Sequence, residues 1–159
     1  MPAATYRGPV LPAAAPVSPD APIIVQHGSR NTVKEAPFAL WEALLPLLAE
    51  RAPVMLVGSA GDRARFAPLR APVPAHRLHD AMGATSFAEL GRLTGRARAA
   101  VGAESMVAHL AVGHARPTVV LTNPDASGIV AFPRGCSSVP RRRTPSCAPW
   151  TTLRHTRRR

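Results

Sequence analysis

Apolar positions along this chain fall into short unbroken runs separated by stretches of helical character. The clearest case is RAAVGAESMVAHLAVGHARPTVVLTNP at residues 98–124. A run at 99–102 ends in a turn carrying Glu104 and Ser105, residues 106–114 read as a helix, and 118–121 form a second run. That is a strand-helix-strand unit. Parallel strands joined by a helix are covered on both faces, so they read as continuous apolar runs, and ligands gather at their carboxyl ends. Gly102, Ala103, Glu104 and Ser105 lie at one such end, Asn123 at another.

The upstream pattern repeats the theme. Residues 23–27 (IIVQH) make a short strand that runs into a polar loop, His27-Gly28-Ser29-Arg30-Asn31-Thr32, closed by Lys34. Pro37 suits the first turn of a helix, where a missing N–H costs nothing. Phe38, Trp41, Leu44, Leu45 and Leu48 continue it at helical spacing, and Pro46 is expected to kink or shorten it. Residues 53–58 form a second strand, whose Gly58-Ser59-Ala60-Gly61-Asp62 turn leads into a charged helix ended by Pro68. A weak strand is placed at 77–79. Ser86 and Glu89 have the spacing of a capping box, and a helix at 87–95 follows. After Pro124 the pattern fades. Alternating strands and helices predict an α/β fold with a parallel sheet of four or five strands. Residues 1–22, rich in Pro and Ala, read as an extended linker.

A length of 159 residues suits one domain with a real core and is too short for two complete domains of this type. The net charge of +11 resembles a nucleic-acid signal until it is located: eight of the 20 basic residues fall in residues 134–159, which hold no acid. Through Pro133, 12 basic and nine acidic residues nearly balance. The excess belongs to the tail, and the body has an ordinary surface. Both cysteines, Cys136 and Cys147, also lie in the tail at a spacing that fits neither a zinc ribbon nor a redox pair, so a reducing, cytoplasmic setting is expected. No apolar run reaches the roughly 18 residues needed to span a bilayer.

In a parallel sheet the strand ends meet at one edge. They bring together Ser29, Arg30, Thr32 and Lys34; Ser59 and Asp62; Glu104 and Ser105; and Asn123. Hydroxyls, a lysine and a helix N-terminus suit a diphosphate, and a carboxylate nearby suits ribose hydroxyls. G-x-G-x-x-G and the Walker lysine motif are missing, which argues against a dehydrogenase or P-loop nucleotidase. Each feature also has an ordinary explanation. The 29–34 loop reads equally as a solvated turn, Ser105 as a helix cap and Asp62 as a helix start. His109 reads as a packed histidine. His27, at a strand end, is harder to dismiss. The remaining histidines show no i,i+4 pairing, so no metal site is expected.

Taken in order, these pieces resemble glycosyltransferase family 9, the ADP-heptose:lipopolysaccharide heptosyltransferases. The resemblance rests on His27-Gly28-Ser29, Thr32, Lys34 and Trp41; on Gly58 and Asp62; on Ala84-Thr85-Ser86-Phe87-Ala88-Glu89-Leu90; and on Gly102, Glu104, Ser105, His109, Leu110 and Ala111. It implies a Rossmann-like sheet, one half of a GT-B fold, with Ser29, Thr32 and Lys34 on the nucleotide phosphates. It further implies ribose or base contact for Asp62, an adenine-side wall from Met82 and Gly83, and donor contacts from Glu104, Ser105 and His109. Glu104 and the Met106-Val107 pair depart from the family's usual Asp and Gly-containing turn, which leaves the sugar open.

The expected organisation is a linker at 1–22, a nucleotide-sugar-binding domain at 23–133, and an unpacked basic tail at 134–159. The expected function is the C-terminal, donor-binding half of an inverting, metal-independent glycosyltransferase of lipopolysaccharide core assembly. It needs no cofactor; its partners are a nucleotide-sugar donor, a lipopolysaccharide-core or other glycan acceptor, a separate acceptor domain and the inner face of the membrane. The alternatives are a GT-B-type sugar-nucleotide epimerase fragment and a non-catalytic module that binds nucleic acid or anionic lipid through its basic tail.

Overall fold

Successive residues of the first strand point into opposite apolar layers, and this alternation organises the sheet. The computed structural model describes residues 16–70 and 72–121. Five parallel strands run β1 Ile23–Gln26, β2 Val54–Leu56, β3 Leu78–Asp80, β4 Ala99–Gly102 and β5 Thr118–Val120. Their spatial order is β3-β2-β1-β4-β5. Helices α1 Phe38–Arg51, α2 Ala60–Arg65, α3 Phe87–Arg96 and α4 Met106–Gly113 connect them. Ile23 and Val25 enter the layer under α1 with Trp41, Leu45, Val54 and Leu56. Ile24 enters the other layer, with Leu90 of α3 and Val107 and Ala111 of α4. This is the Rossmann-like arrangement expected from the pattern, an α/β sheet with helices on both faces.

Helix α1 runs through Pro46 to Arg51, so the proline does not shorten it as expected. Trp41, Leu45 and Ala49 form one buried stripe at helical spacing. Pro46 lies beside that stripe, and the carbonyl it leaves unpaired belongs to exposed Glu42, where water can replace the lost N–H. Strand β3 begins one residue later than expected because Ala75–Arg77 forms a 3-10 turn. Arg77 there donates to the Ala49 carbonyl at 2.8 Å, tying the turn to the end of α1. Ser86 and Glu89 form the expected capping box, the serine N–H donating to Glu89 Oε2 at 2.8 Å and the Glu89 N–H to Ser86 Oγ at 3.2 Å. Gly83 has φ +70, and a Cβ there would meet Ala60 Cα at 2.7 Å, so the chain entering α3 passes close against the start of α2.

At the described end of the linker, residues 18–21 form a turn in which Ala21 N–H donates to Ser18 O at 3.0 Å. Arg98 holds it by donating to Pro19 O at 2.6 Å, so these last linker residues pack against the entry to β4. Asn123, both cysteines and the basic tail lie outside the described residues.

Helix α4 closes with Ala115 at φ 54. Its N–H donates to Val112 O, and Arg116 N–H donates to Ala111 O, the paired bonds of a left-handed helix cap. Alanine in that conformation is strained. Ala115→Gly is therefore expected to stabilise the domain by about 0.5–1 kcal/mol in urea denaturation, and a loss of stability would contradict this cap.

Candidate functional site in the crevice between β1 and β4

Strands β1 and β4 are neighbours in full register, from Ile23 opposite Ala99 to Gln26 opposite Gly102. Their connections leave in opposite directions, β1 into α1 on one face and β4 into α4 on the other. A crevice opens where they part. Gln26, the last residue of β1, spans it: its Oε1 accepts from Ser105 Oγ at 2.7 Å and from Val107 N–H at 3.3 Å. The start of α4 is thus capped from the neighbouring strand, and Ser105 donates to Gln26 instead of capping its own helix.

The loop after β1 is held from within. Asn31 Oδ1 accepts from Val33 N–H at 3.2 Å, and Thr32–Lys34 forms a 3-10 turn. Glu35 then folds back, its Oε1 accepting the Ser29 N–H at 2.7 Å and its Oε2 pairing with Arg65 of α2. Lys34 points the other way, with Nζ 3.4 Å from Glu104 Oε2. The Glu104 side chain is only 8% exposed, and its Oε1 is buried without a protein partner. A buried carboxylate oxygen left unpaired is costly, and a ligand hydroxyl or N–H arriving there would relieve it.

Beside this pair lies a cleft of about 520 Å³. Its polar lining includes Ser29, Arg30, Asp62 and Thr85, and its apolar lining includes Val57, Phe87, Leu90, Met106 and Val107. Asp62 serves its own helix, its Oδ2 accepting from Ser59 N–H at 2.8 Å and Ser59 Oγ at 2.7 Å. Its carboxylate also presses on the β1 loop. A Cβ on Gly28 would come within 2.6 Å of Asp62 Oδ1, so glycine there lets the β1 loop lie against the Asp62 side chain.

The structure thus gathers Ser29, Arg30, Asp62, Lys34, Glu104 and Ser105 along one edge. Thr32 is exposed in the 3-10 turn and does not line the cleft, and His109 is exposed on α4, one turn past Ser105. Met82 is placed differently from the expectation. It is 1% exposed in the core layer with Trp41 and Phe66, and its N–H donates to Asp80 Oδ1 at 3.0 Å. Thr85 and Phe87 line the cleft where Met82 does not, and Phe87 is 64% exposed. Gln26 and Glu35 were not singled out from the sequence. Gln26 carried a signal, as a polar side chain interrupting the end of an apolar strand; Glu35 carried none, because its partners lie six and 30 residues away. Among the described residues no cluster of His, Cys, Asp and Glu could hold a metal ion.

The sequence profile of glycosyltransferase family 9 (heptosyltransferase) matches residues 9–133. Among solved structures the chain is similar to E. coli heptosyltransferase WaaC with ADP-2-deoxy-2-fluoro heptose, at 17% identity and a TM-score of 0.63, covering 77% of this chain and 38% of that one. It is also similar to E. coli ADP-heptose lps heptosyltransferase II, at 22% identity and a TM-score of 0.55, covering 76% and 41%. A glycosyl transferase family 9 structure from Veillonella parvula DSM 2008 shares 17% identity at a TM-score of 0.57, covering 64% and 29%. At these identities the likeness is one of fold, and the chain spans well under half the length of each. No curated protein matches it.

His27 has a packing role. It is fully buried, stacked on Phe66 at 3.6 Å and edge-on to Trp41 at 6.0 Å. Burial pushes its pKa down to about 4, with Asp62 opposing and Arg65 adding to the shift. The folded chain keeps this ring neutral where the unfolded chain, titrating near 6.5, already binds a proton. Stability is therefore complete above about pH 6.5 and falls as pH drops toward 4, by an amount on the order of 3 kcal/mol. Urea denaturation between pH 7 and 4 should show this slope, and His27→Phe, which keeps the stacking, should flatten it; equal slopes in both proteins would refute the assignment.

Proposed function

The chain belongs to glycosyltransferase family 9, the heptosyltransferase family, and on that premise we propose that its β1–β4 crevice binds a nucleotide-diphosphate sugar, ADP-heptose or a close relative, as the donor-binding half of a glycosyltransferase. The observation that carries this reading is the Lys34–Glu104 pair at the switch point, with one carboxylate oxygen buried and unpartnered. Lysine offers a phosphate a mobile positive charge, and the carboxylate offers sugar hydroxyls an acceptor. Both sit where the strand ends of such a sheet bind ligands.

In this reading Lys34 and Ser29 hold the diphosphate, with Thr32, exposed in the turn between them, reaching it only from the rim, and Ser105 and His109 lie along the sugar's side of the crevice. Asp62 holds the ribose, and Thr85 and Phe87 face the base. The reaction is direct displacement at the anomeric carbon. The acceptor oxygen forms the new bond as the bond to the diphosphate breaks, and Lys34 stabilises the charge gained by the leaving group. The acceptor, a lipopolysaccharide-core glycan, and the base that takes its proton belong to a further domain. The setting proposed is the cytoplasm, at the inner face of the membrane. Among the described residues no helix is long and apolar enough to cross a membrane.

Calorimetric titration of the chain with ADP and UDP tests the donor site. ADP is expected to bind in preference to UDP, and Lys34→Ala to weaken it roughly tenfold or more, the size of a charge-assisted contact. A preference for UDP would favour an epimerase-type site, and binding of neither nucleotide would overturn the reading.

A further inference from the structure

Lys34 and Glu35 are consecutive, yet their charges are fastened to opposite sides of the crevice. Lys34 reaches toward β4 and meets Glu104 at 3.4 Å. Glu35 reaches toward β2, taking the Ser29 N–H at 2.7 Å and the Arg65 guanidinium of α2. Its side chain is only 12% exposed. The anchor continues inward, with the Arg65 guanidinium 4.4 Å over the Phe66 ring and Phe66 stacked on buried His27. Between the two ends the 3-10 turn is closed by Lys34 N–H to Asn31 O at 3.0 Å and Glu35 N–H to Thr32 O at 3.1 Å. Residues 29–35 therefore form a strap over the carboxyl end of β1, tied at both ends.

The two ties differ in kind. Glu35 engages a backbone N–H, a guanidinium and, through that cation, an aromatic stack. Lys34 has a single ion pair at long distance, to an acid that still lacks a partner for its other oxygen. An arriving diphosphate offers Lys34 more charge than Glu104 does, so that end exchanges partners while the Glu35 end holds.

We propose that Glu35 is a positioning residue for the diphosphate: without touching ligand, it keeps Ser29 and Lys34 where Lys34 can exchange Glu104 for phosphate. The proposal rests on the donor-site reading above, and it adds a residue whose effect is confined to the phosphate portion of the ligand. A tether that fixes the strap in advance spares the ligand the cost of ordering it.

The experiment compares the wild-type chain with Glu35→Ala and Glu35→Gln, titrating ADP by calorimetry and adenosine by NMR. Glu35→Ala is expected to weaken ADP about tenfold and adenosine less than twofold, because adenosine has no phosphate for Lys34 to hold. Glu35→Gln, whose amide oxygen can still accept the Ser29 N–H, should recover part of the loss. Backbone amide exchange in the ligand-free protein supplies a second readout. Residues 29–35 should exchange at least tenfold faster in Glu35→Ala, with β1 and β4 unchanged. Equal weakening of ADP and adenosine, unchanged ADP affinity, or unchanged exchange of the strap would each overturn the proposal while the donor-site reading stands. A wild-type chain that binds no ADP would overturn both.

Discussion

The pairing of β1 with β4 is the constraint on which this molecule depends. Both strands are central, buried on both faces, and in register over four residue pairs. Because their connections leave toward opposite layers, no helix can cover the carboxyl end of the pair. The polar groups gathered there are exposed to a ligand by topology rather than by a cavity carved from the core. Gln26 shows how tightly the two sides are coupled, since one side-chain oxygen at the end of β1 serves both Ser105 and the first turn of α4. A shift of register between the strands would leave α4 uncapped and move Glu104 away from Lys34.

Around that opening the charges are balanced before any ligand arrives. Lys34 is matched by Glu104 and Arg65 by Glu35, while Arg63 and Arg70 both reach Asp80 at the end of β3. Exposed ion pairs of this sort contribute little to stability, generally under about 1 kcal/mol each. Their value here is geometric, because they tie the segments that follow β1 and β2 to acids at the edge of the sheet. The exception is the partly buried Glu104, whose unpaired oxygen makes the empty crevice less comfortable than an occupied one.

Beneath the loops, aromatic packing does the holding. His27, Phe66 and Trp41 bring the end of β1, the end of α2 and the first turn of α1 to one point. A histidine in that position behaves as a neutral aromatic disc, which makes the packing sensitive to acid. The same cluster takes in Met82, so the cleft is lined by Thr85 and Phe87 and not by Met82.

Much of this was legible in the amino-acid sequence. Apolar runs of four or five residues, helical spacing between them and the Ser86–Glu89 capping box are local signals, so the strands, the helices and the parallel α/β class followed from them. The edge carrying Ser29, Lys34, Asp62, Glu104 and Ser105 followed too, because parallel strands place all their carboxyl ends together. What stayed hidden depended on side-chain direction and on partners distant in the chain. Pro46 reads as a helix breaker until the buried stripe of Trp41, Leu45 and Ala49 is seen to carry α1 past it. Met82 and Phe87 are five residues apart and both apolar, yet only packing decides that one faces the core and the other the cleft. Glu35 looks like any surface acid. Its meaning comes from Arg65, 30 residues on, which the fold of α2 against the β1 loop brings within reach. Local periodicity determines which elements form and which way their ends point; the contacts that orient each side chain at those ends exist only once the layers have packed.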